Sequence, residues 1–174
     1  MGLLNRINGG TVFIDTAPFV YFVECHSKYV DILYPVFNAI DQEEIHAVTT
    51  TITCSETLVI PCRQANWGLV EQYETLLVET PALKIVPFDL DLAKRTAEIR
   101  AKYGIKTPDA IQWATAVRHG ASFFLTNDKG FKIGFQICRS FYLMIFCRSQ
   151  MLFHDAIKIN FGTILRTAGP FARH

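Results

Sequence analysis

The sequence predicts an α/β fold, a three-layer α/β/α sandwich around a central, mainly parallel sheet. Short apolar segments alternate with amphipathic ones over the first three quarters of the chain, which is typical of strands joined by helical crossovers. These short segments are apolar almost throughout, as expected for parallel strands covered on both faces. The chain has 174 residues, of which 50% are hydrophobic and 19% charged, the length and composition of one globular domain.

The first predicted strand is residues 11–14 (TVFI), and it ends at Asp15. A helix follows from Thr16, because Pro18 suits a first helical turn. A second helix is predicted over residues 29–41. The apolar residues expected to face the core are Phe19, Phe22 and Val23 in the first helix, and Val30, Leu33, Val36, Phe37 and Ile40 in the second.

The middle of the chain continues the alternation. The predicted elements are a strand at 46–50, a helix through 53–61 halted near Pro61, an amphipathic helix at 67–79, a strand at 83–88, and a helix over 89–104 that stops at Gly104.

Thr107-Pro108-Asp109 begins the next predicted helix, whose apolar side is Ile111, Ala114, Ala116 and Val117. A strand at 122–126 ends in Asn127-Asp128, and a further strand is expected at about 141–146. We find no internal repeat, and no apolar stretch has the roughly 18 residues of a membrane span.

The cysteines predict no metal site. Five cysteines without a CxxC pair indicate free thiols in a reducing cytoplasm, most simply as small buried side chains. None of the five histidines follows a predicted strand, and each is expected to be a surface or core residue.

Four acids are predicted to converge at one edge of the sheet. Asp15 and Asp128 follow strands, Glu56 lies just after the strand at 46–50, and Asp109 begins the helix that leads into the strand before Asp128. Open parallel sheets bind ligands at the carboxyl ends of their strands. Clustered carboxylates need a cation, and hard oxygen ligands favour Mg²⁺ or Mn²⁺, which activate water for phosphodiester cleavage.

Each acid also has an ordinary explanation. Asp15 is a candidate helix N-cap, Asp109 a favourable first-turn charge, Asp128 a turn residue and Glu56 a solvated helix residue. Only their shared position at one edge favours a site.

Four segments in order resemble the signatures of PIN domains, especially VapC-type toxins. They are VFIDTAPFVYF, the SETL of TTTITCSETLVIP, KTPDAIQWATAVRHGA and FFLTNDKGF, spanning roughly residues 11–133. The resemblance implies a cytoplasmic, Mg²⁺- or Mn²⁺-dependent endoribonuclease that forms a homodimer and, in the toxin branch, is neutralised by a small antitoxin protein. The expected target is an RNA substrate.

The resemblance also implies roles for individual residues. Asp15, Glu56 and Asp109 would be the core acids and Asp128 the fourth. We further expect Asp15 and Asp109 to ligate the principal ion, with Glu56 and Asp128 assisting directly or through water. Thr126 would be a hydroxyl partner of the site, and the side chains of Thr16 and Asn127 would support it by hydrogen bonds. Cleavage would leave a 5′-phosphate and a 3′-hydroxyl.

The chain is expected to divide into a PIN-like nuclease domain at 1–135 and an atypical, Phe-rich segment at 136–174. From Gly130 onward the sequence contains six basic residues and one acidic residue, whereas residues 1–129 carry 11 basic and 15 acidic side chains. Three interpretations of this segment stay open: an RNA-binding extension, a core or interface element, and a tail from a shifted or extended reading frame.

Competing functions find less support. A haloacid dehalogenase phosphatase needs a second Asp where Ala17 stands, and neither the acid pair of a receiver domain nor a phosphate-loop glycine motif is present. The remaining rival is a non-catalytic PIN-like module that binds RNA or a protein.

Overall fold

The computed structural model describes Ile7 and residues 9–128, together with the backbone of residues 142–145 and 152–153. The strands are β1 (Thr11–Ile14), β2 (His46–Thr50), β3 (Leu83–Val86), β4 (Phe123–Thr126), β5 (Tyr142–Ile145) and β6 (Leu152–Phe153). The helices are α1 (Thr16–Val23), α2 (Val30–Asp41), α3 (Thr51–Arg63), α4 (Trp67–Glu79), α5 (Leu90–Tyr103) and α6 (Thr107–Arg118). No helix in this part of the chain is long and apolar enough to cross a bilayer.

The strands form one sheet in the order β3-β2-β1-β4-β5-β6. All neighbours from β3 to β5 are parallel, and only β6 runs antiparallel to its neighbour. The predicted mainly parallel sheet is therefore confirmed, and so is the strand expected near 141–146. Because β1, β2 and β4 are parallel neighbours, their carboxyl ends meet at one edge, which we call the carboxyl edge.

Two apolar cores lie on opposite faces of the sheet. Successive residues of β1 alternate between them: Val12 and Ile14 pack with α1, α2 and α4, whereas Phe13 packs with α5 and α6. β4 does the same, and the Phe13 and Phe124 rings stack at 4.7 Å between centroids. The three-layer α/β/α architecture follows from this alternation.

Two details differ from the sequence prediction. α3 starts at Thr51, capped by the Thr50 hydroxyl, and continues two residues beyond Pro61. Proline removes only its own N–H, so later residues still donate to carbonyls upstream, as Gln64 does to Ile60. β3 ends at Val86, before Pro87.

The cysteine prediction holds in part. Cys25, Cys54 and Cys62 are free, as expected, while Cys138 and Cys147 lie outside the described residues. The expectation that cysteines serve as small buried side chains is wrong for Cys25 and Cys62, which are exposed. Both lie on the surface near the end of a helix.

Candidate active site

Asp15 lies at the carboxyl edge, where β1 meets α1. Its backbone N–H donates to the carbonyl of Leu125 at 3.0 Å, which continues the β1–β4 pairing by one residue. Its side chain caps α1 by accepting from the backbone N–H of Thr16 at 2.6 Å. The carboxylate is thus buried at the positive end of a helix, a position that favours negative charge.

Two further donors hold this carboxylate from the neighbouring elements. Gln112 of α6 donates its Nε2 to Oδ1 of Asp15 at 2.8 Å. Thr126, the last residue of β4, donates its hydroxyl to Oδ2 at 2.5 Å. The same hydroxyl accepts from the backbone N–H of Asp128 at 2.9 Å, so Thr126 links two of the predicted acids.

Glu56 reaches the same edge from α3. Thr16 donates its hydroxyl to Oε2 of Glu56 at 2.5 Å while its backbone N–H bonds Asp15. One threonine therefore bridges carboxylates that are far apart in the sequence. This contact fixes how α1 and α3 present the two acids.

Asp109 lies in the first turn of α6, and the other three acids affect the pKa of its carboxyl. Its pKa is raised first by burial and then by the negative charges of Asp128, Asp15 and Glu56, with Lys106 acting in the opposite direction. Asp109 thus lies within electrostatic reach of the other three predicted carboxylates.

The pKa of Asp15 is also raised, and burial is the main cause. The hydrogen bonds from Thr126, Thr16 and Gln112 lower it without cancelling that effect, and the charge of Glu56 adds to it. The folded chain therefore disfavours the ionised forms of Asp15 and Asp109. A bound cation would relieve this repulsion.

The donor chemistry fits a hard divalent ion. A carboxylate has about four lone-pair positions, and the three donors to Asp15 leave one of them for a ligand. Among residues 9–128, no three carboxylate, imidazole or thiolate groups form a ready-made ion site. Mg²⁺ is compatible with this arrangement, because it commonly keeps several waters and binds protein through one or two carboxylates.

The structure brings the supporting residues to the edge in different ways. Thr16 and Thr126 contact the predicted acids directly, as described above. Asn127 donates its Nδ2 to the hydroxyl of Tyr21 at 2.6 Å. This bond joins the carboxyl edge to an aromatic residue of α1.

Two contributors were not anticipated from the sequence. Gln112 is buried, and its Oε1 has no hydrogen-bond partner within the described part of the chain. Its position three residues after Asp109, on the same helical face, is the signal that was available. Thr49 donates its hydroxyl to the carbonyl of Ile14 at 2.9 Å and so anchors the strand end before Asp15.

Comparison with known proteins gives one family. The model of the PIN domain matches residues 12–133, which is most of the chain and includes all four acids. No curated protein matches the chain significantly.

Solved structures of similar fold include VapBC2 from Rickettsia felis bound to a promoter DNA fragment (TM-score 0.55, 19% identity, covering 76% of this chain and 96% of that one). A toxin–antitoxin complex from Klebsiella pneumoniae has a TM-score of 0.52 and 21% identity, covering 69% and 89%. VapC20 of Mycobacterium tuberculosis, a sarcin-ricin loop cleaving toxin, has a TM-score of 0.57 and 13% identity, covering 70% and 92%. At these identities the likeness is one of fold.

Proposed function

This chain belongs to the PIN domain family, and we propose on that premise that it is a metal-dependent endoribonuclease acting at the carboxyl edge. The observation that supports this most strongly is the convergence of Asp15, Glu56, Asp109 and Asp128 from four separate segments, with burial and mutual repulsion raising the pKa of two of them. The stability of the fold does not require such a cluster of carboxylates. Binding of a cation explains why the four acids lie together.

The proposed cofactor is Mg²⁺ or Mn²⁺, held mainly by Asp15 and Asp109 with Glu56 and Asp128 assisting directly or through water. When bound, such an ion activates water, polarises the phosphodiester and stabilises the leaving oxygen. The chain supplies the positioning: the hydrogen bonds to Asp15 fix its orientation, and the Thr126 hydroxyl connects it to the backbone of Asp128.

A toxin–antitoxin role is part of the proposal. A groove of about 920 Å³ between α1, α2 and α4 offers a surface for the antitoxin. Its apolar side chains include Phe22, Val30 and Leu76. Among the described residues its charged side chains are the acids Asp41, Glu71 and Glu79, so the groove favours an apolar segment that carries basic residues.

The resemblance to VapC-type toxins supports this partner, and one of the solved structures of similar fold is a toxin–antitoxin complex. A genomic neighbour that encodes a small protein is the observation that would identify it. Homodimerisation, a cytoplasmic location, an RNA substrate and the division of the chain at residue 135 stay predictions.

The test is RNA cleavage by purified protein in Mn²⁺ or Mg²⁺, compared with cleavage in EDTA. Asp15→Asn and Asp109→Asn should each abolish metal-dependent cleavage, because each removes a charged oxygen ligand. Asp31→Asn, which changes an exposed first-turn acid of α2, is the matched control and should cleave normally.

Full activity in either site variant would overturn the assignment of the site. A folded wild-type protein that binds RNA or a partner but cleaves nothing in either metal would instead favour the non-catalytic PIN-like module.

A further inference from the structure

An aromatic cluster adjoins the carboxyl edge. Its link to the acids is the Nδ2 of Asn127, the residue before Asp128, which donates to the Tyr21 hydroxyl at 2.6 Å. The Tyr21 ring stacks on that of Tyr29, with centroids 4.5 Å apart, and meets the His26 ring edge-on at 5.1 Å. The His26 and Tyr29 rings are 4.9 Å apart. We call these three residues the Tyr21–His26–Tyr29 cluster.

The turn that carries His26 is held by its own backbone. The N–H of Cys25 donates to Phe22 at 3.2 Å and that of His26 to Tyr21 at 2.9 Å, and the carbonyl of His26 accepts from Tyr29 at 2.8 Å. Cys25 has a φ of 50°, a left-handed conformation that is uncommon for a residue with a side chain. The turn is therefore fixed in a strained shape before any ligand arrives.

Core packing explains only part of this arrangement. Tyr29 is buried, and its ring belongs to the core on the α1–α2 side of the sheet. His26 and Lys28 are exposed, and the ammonium of Lys28 lies 5.0 Å from the centroid of the Tyr29 ring. The backbone N–H of Lys28 donates to Nδ1 of His26 at 3.3 Å, so the imidazole helps to hold the turn, but core packing does not account for its exposure beside the aromatic stack.

These groups have the chemistry that an acidic nuclease needs next to its acids. Residues 1–129 carry 11 basic and 15 acidic side chains, so RNA approaching the four carboxylates meets repulsion unless cations lie nearby. Aromatic rings stack on unpaired bases, and lysines neutralise phosphates. The cluster supplies the aromatic rings, and Lys28 supplies an ammonium next to the Tyr29 ring.

We propose that the exposed side of the Tyr21–His26–Tyr29 cluster is an RNA subsite that binds the nucleotide next to the cleaved phosphodiester. The His26 ring stacks on its base, and Lys28 contacts a phosphate. This inference rests on the proposed ribonuclease function and adds to it the place where the substrate strand is held.

The test measures binding of a short fluorescein-labelled single-stranded RNA in EDTA, where no cleavage interferes. His26→Ala should weaken affinity about tenfold, the effect of losing one stacked base. His26→Phe should keep most of the affinity, since it retains a ring. The control is His46→Ala, which removes an exposed histidine from the first position of β2, at the opposite edge of the sheet.

The salt dependence of the same binding tests Lys28. Lys28→Gln should reduce the slope of log affinity against log salt by about 0.7, the value for one phosphate contact on a single strand. Lys94→Gln, an exposed lysine of α5 on the other face of the sheet, should leave the slope unchanged.

A series of probes, each lacking one base, locates the stacked nucleotide. One abasic position should weaken binding to the wild-type protein and leave binding to His26→Ala unaffected. Equal affinities of His26→Ala and His46→Ala, in a wild-type protein that does cleave RNA, would overturn the subsite and leave the nuclease proposal intact. A wild-type protein that neither binds nor cleaves RNA would overturn both.

Discussion

Replacing Thr126 by valine removes one hydroxyl from the centre of the proposed site without changing the size of the side chain. Thr126 is fully buried. Its hydroxyl donates to Oδ2 of Asp15 at 2.5 Å and accepts from the N–H of Asp128 at 2.9 Å. The substitution therefore breaks two hydrogen bonds, one of them to a buried carboxylate.

The expected loss of stability follows from these two bonds. A hydrogen bond to a charged group contributes about 1.5–3 kcal/mol, and a neutral one about 0.5–1.5 kcal/mol. The second bond counts at the low end of its range, because it is only partly buried. We expect a decrease of about 2–4 kcal/mol in the free energy of unfolding, which for this chain length lowers Tm by roughly 5–15 °C.

Activity should change as well. The bond from Thr126 lowers the pKa of Asp15, so its loss raises that pKa further. A smaller fraction of Asp15 is then ionised and able to bind a cation. Metal-dependent RNA cleavage by the Thr126→Val variant should fall at neutral pH and recover in part as the pH rises.

Thr96→Val is the control for this prediction. Thr96 is also buried, but its hydroxyl donates only to the carbonyl of Leu92 in its own helix, at 2.7 Å. Urea unfolding should place this variant within about 1 kcal/mol of the wild type. A Thr126→Val variant that is as stable as the wild type and has the same cleavage profile against pH would refute this prediction.

Three further predictions concern single side chains. Asp109→Asn should raise the metal-free stability near neutral pH, because the raised pKa of Asp109 means that folding disfavours its ionised form. The favourable contribution of the protonated carboxyl to stability is complete below its unfolded pKa of about 3.9 and is lost as the pH rises through the folded pKa. Urea unfolding should therefore show that the variant's gain in free energy of unfolding over the wild type shrinks as the pH falls. A variant less stable than the wild type at neutral pH would contradict this. Tyr73→Phe removes the bond from a fully buried tyrosine to Oε1 of Glu24, 2.9 Å long, and should cost about 1–2 kcal/mol in the same assay with RNA cleavage unchanged. Gln112→Leu removes the donor to Oδ1 of Asp15, raises the pKa of that carboxyl and should shift the acidic limb of the cleavage profile to higher pH; superimposable profiles would show that Gln112 does not act on Asp15.

The sequence carried enough information to predict the sheet and the convergence of the acids. Short apolar strands such as β1 and β4 are recognisable without context, and parallel strands put their carboxyl ends at one edge. Asp15 and Asp128 could therefore be placed from local pattern alone. Asp109 could be placed because Pro108 marks the start of its helix.

What escaped prediction depends on contacts between distant elements. The bond from Gln112 to Asp15 joins residues 97 positions apart and requires α6 to lie against β1 with this face inward. The bond from Asn127 to Tyr21 spans 106 positions in the same way. No local periodicity encodes either contact. The exposure of Cys25 likewise follows from the turn between α1 and α2, and no local sequence pattern predicts the strained backbone of that turn.

The Phe-rich segment at 136–174 shows another limit of prediction from local sequence pattern. Of the segment after residue 135, the strand β5 was predicted from its apolar run, and it adds to the sheet in parallel next to β4. The roles suggested for the rest of the segment stay predictions, because residues 136–141, 146–151 and 154–174 lie outside the described part of the chain.

The most direct test of the central claim follows Mn²⁺ occupancy and RNA cleavage in the same samples. Free Mn²⁺ is measured by electron paramagnetic resonance as the metal is titrated into the wild-type, Asp109→Asn and Asp31→Asn proteins. We predict that cleavage rises with Mn²⁺ bound by the wild type and Asp31→Asn, and that Asp109→Asn shows neither tight binding nor cleavage. Undiminished Mn²⁺ binding and cleavage by Asp109→Asn would contradict the assignment of the carboxyl edge as the metal-dependent nuclease site.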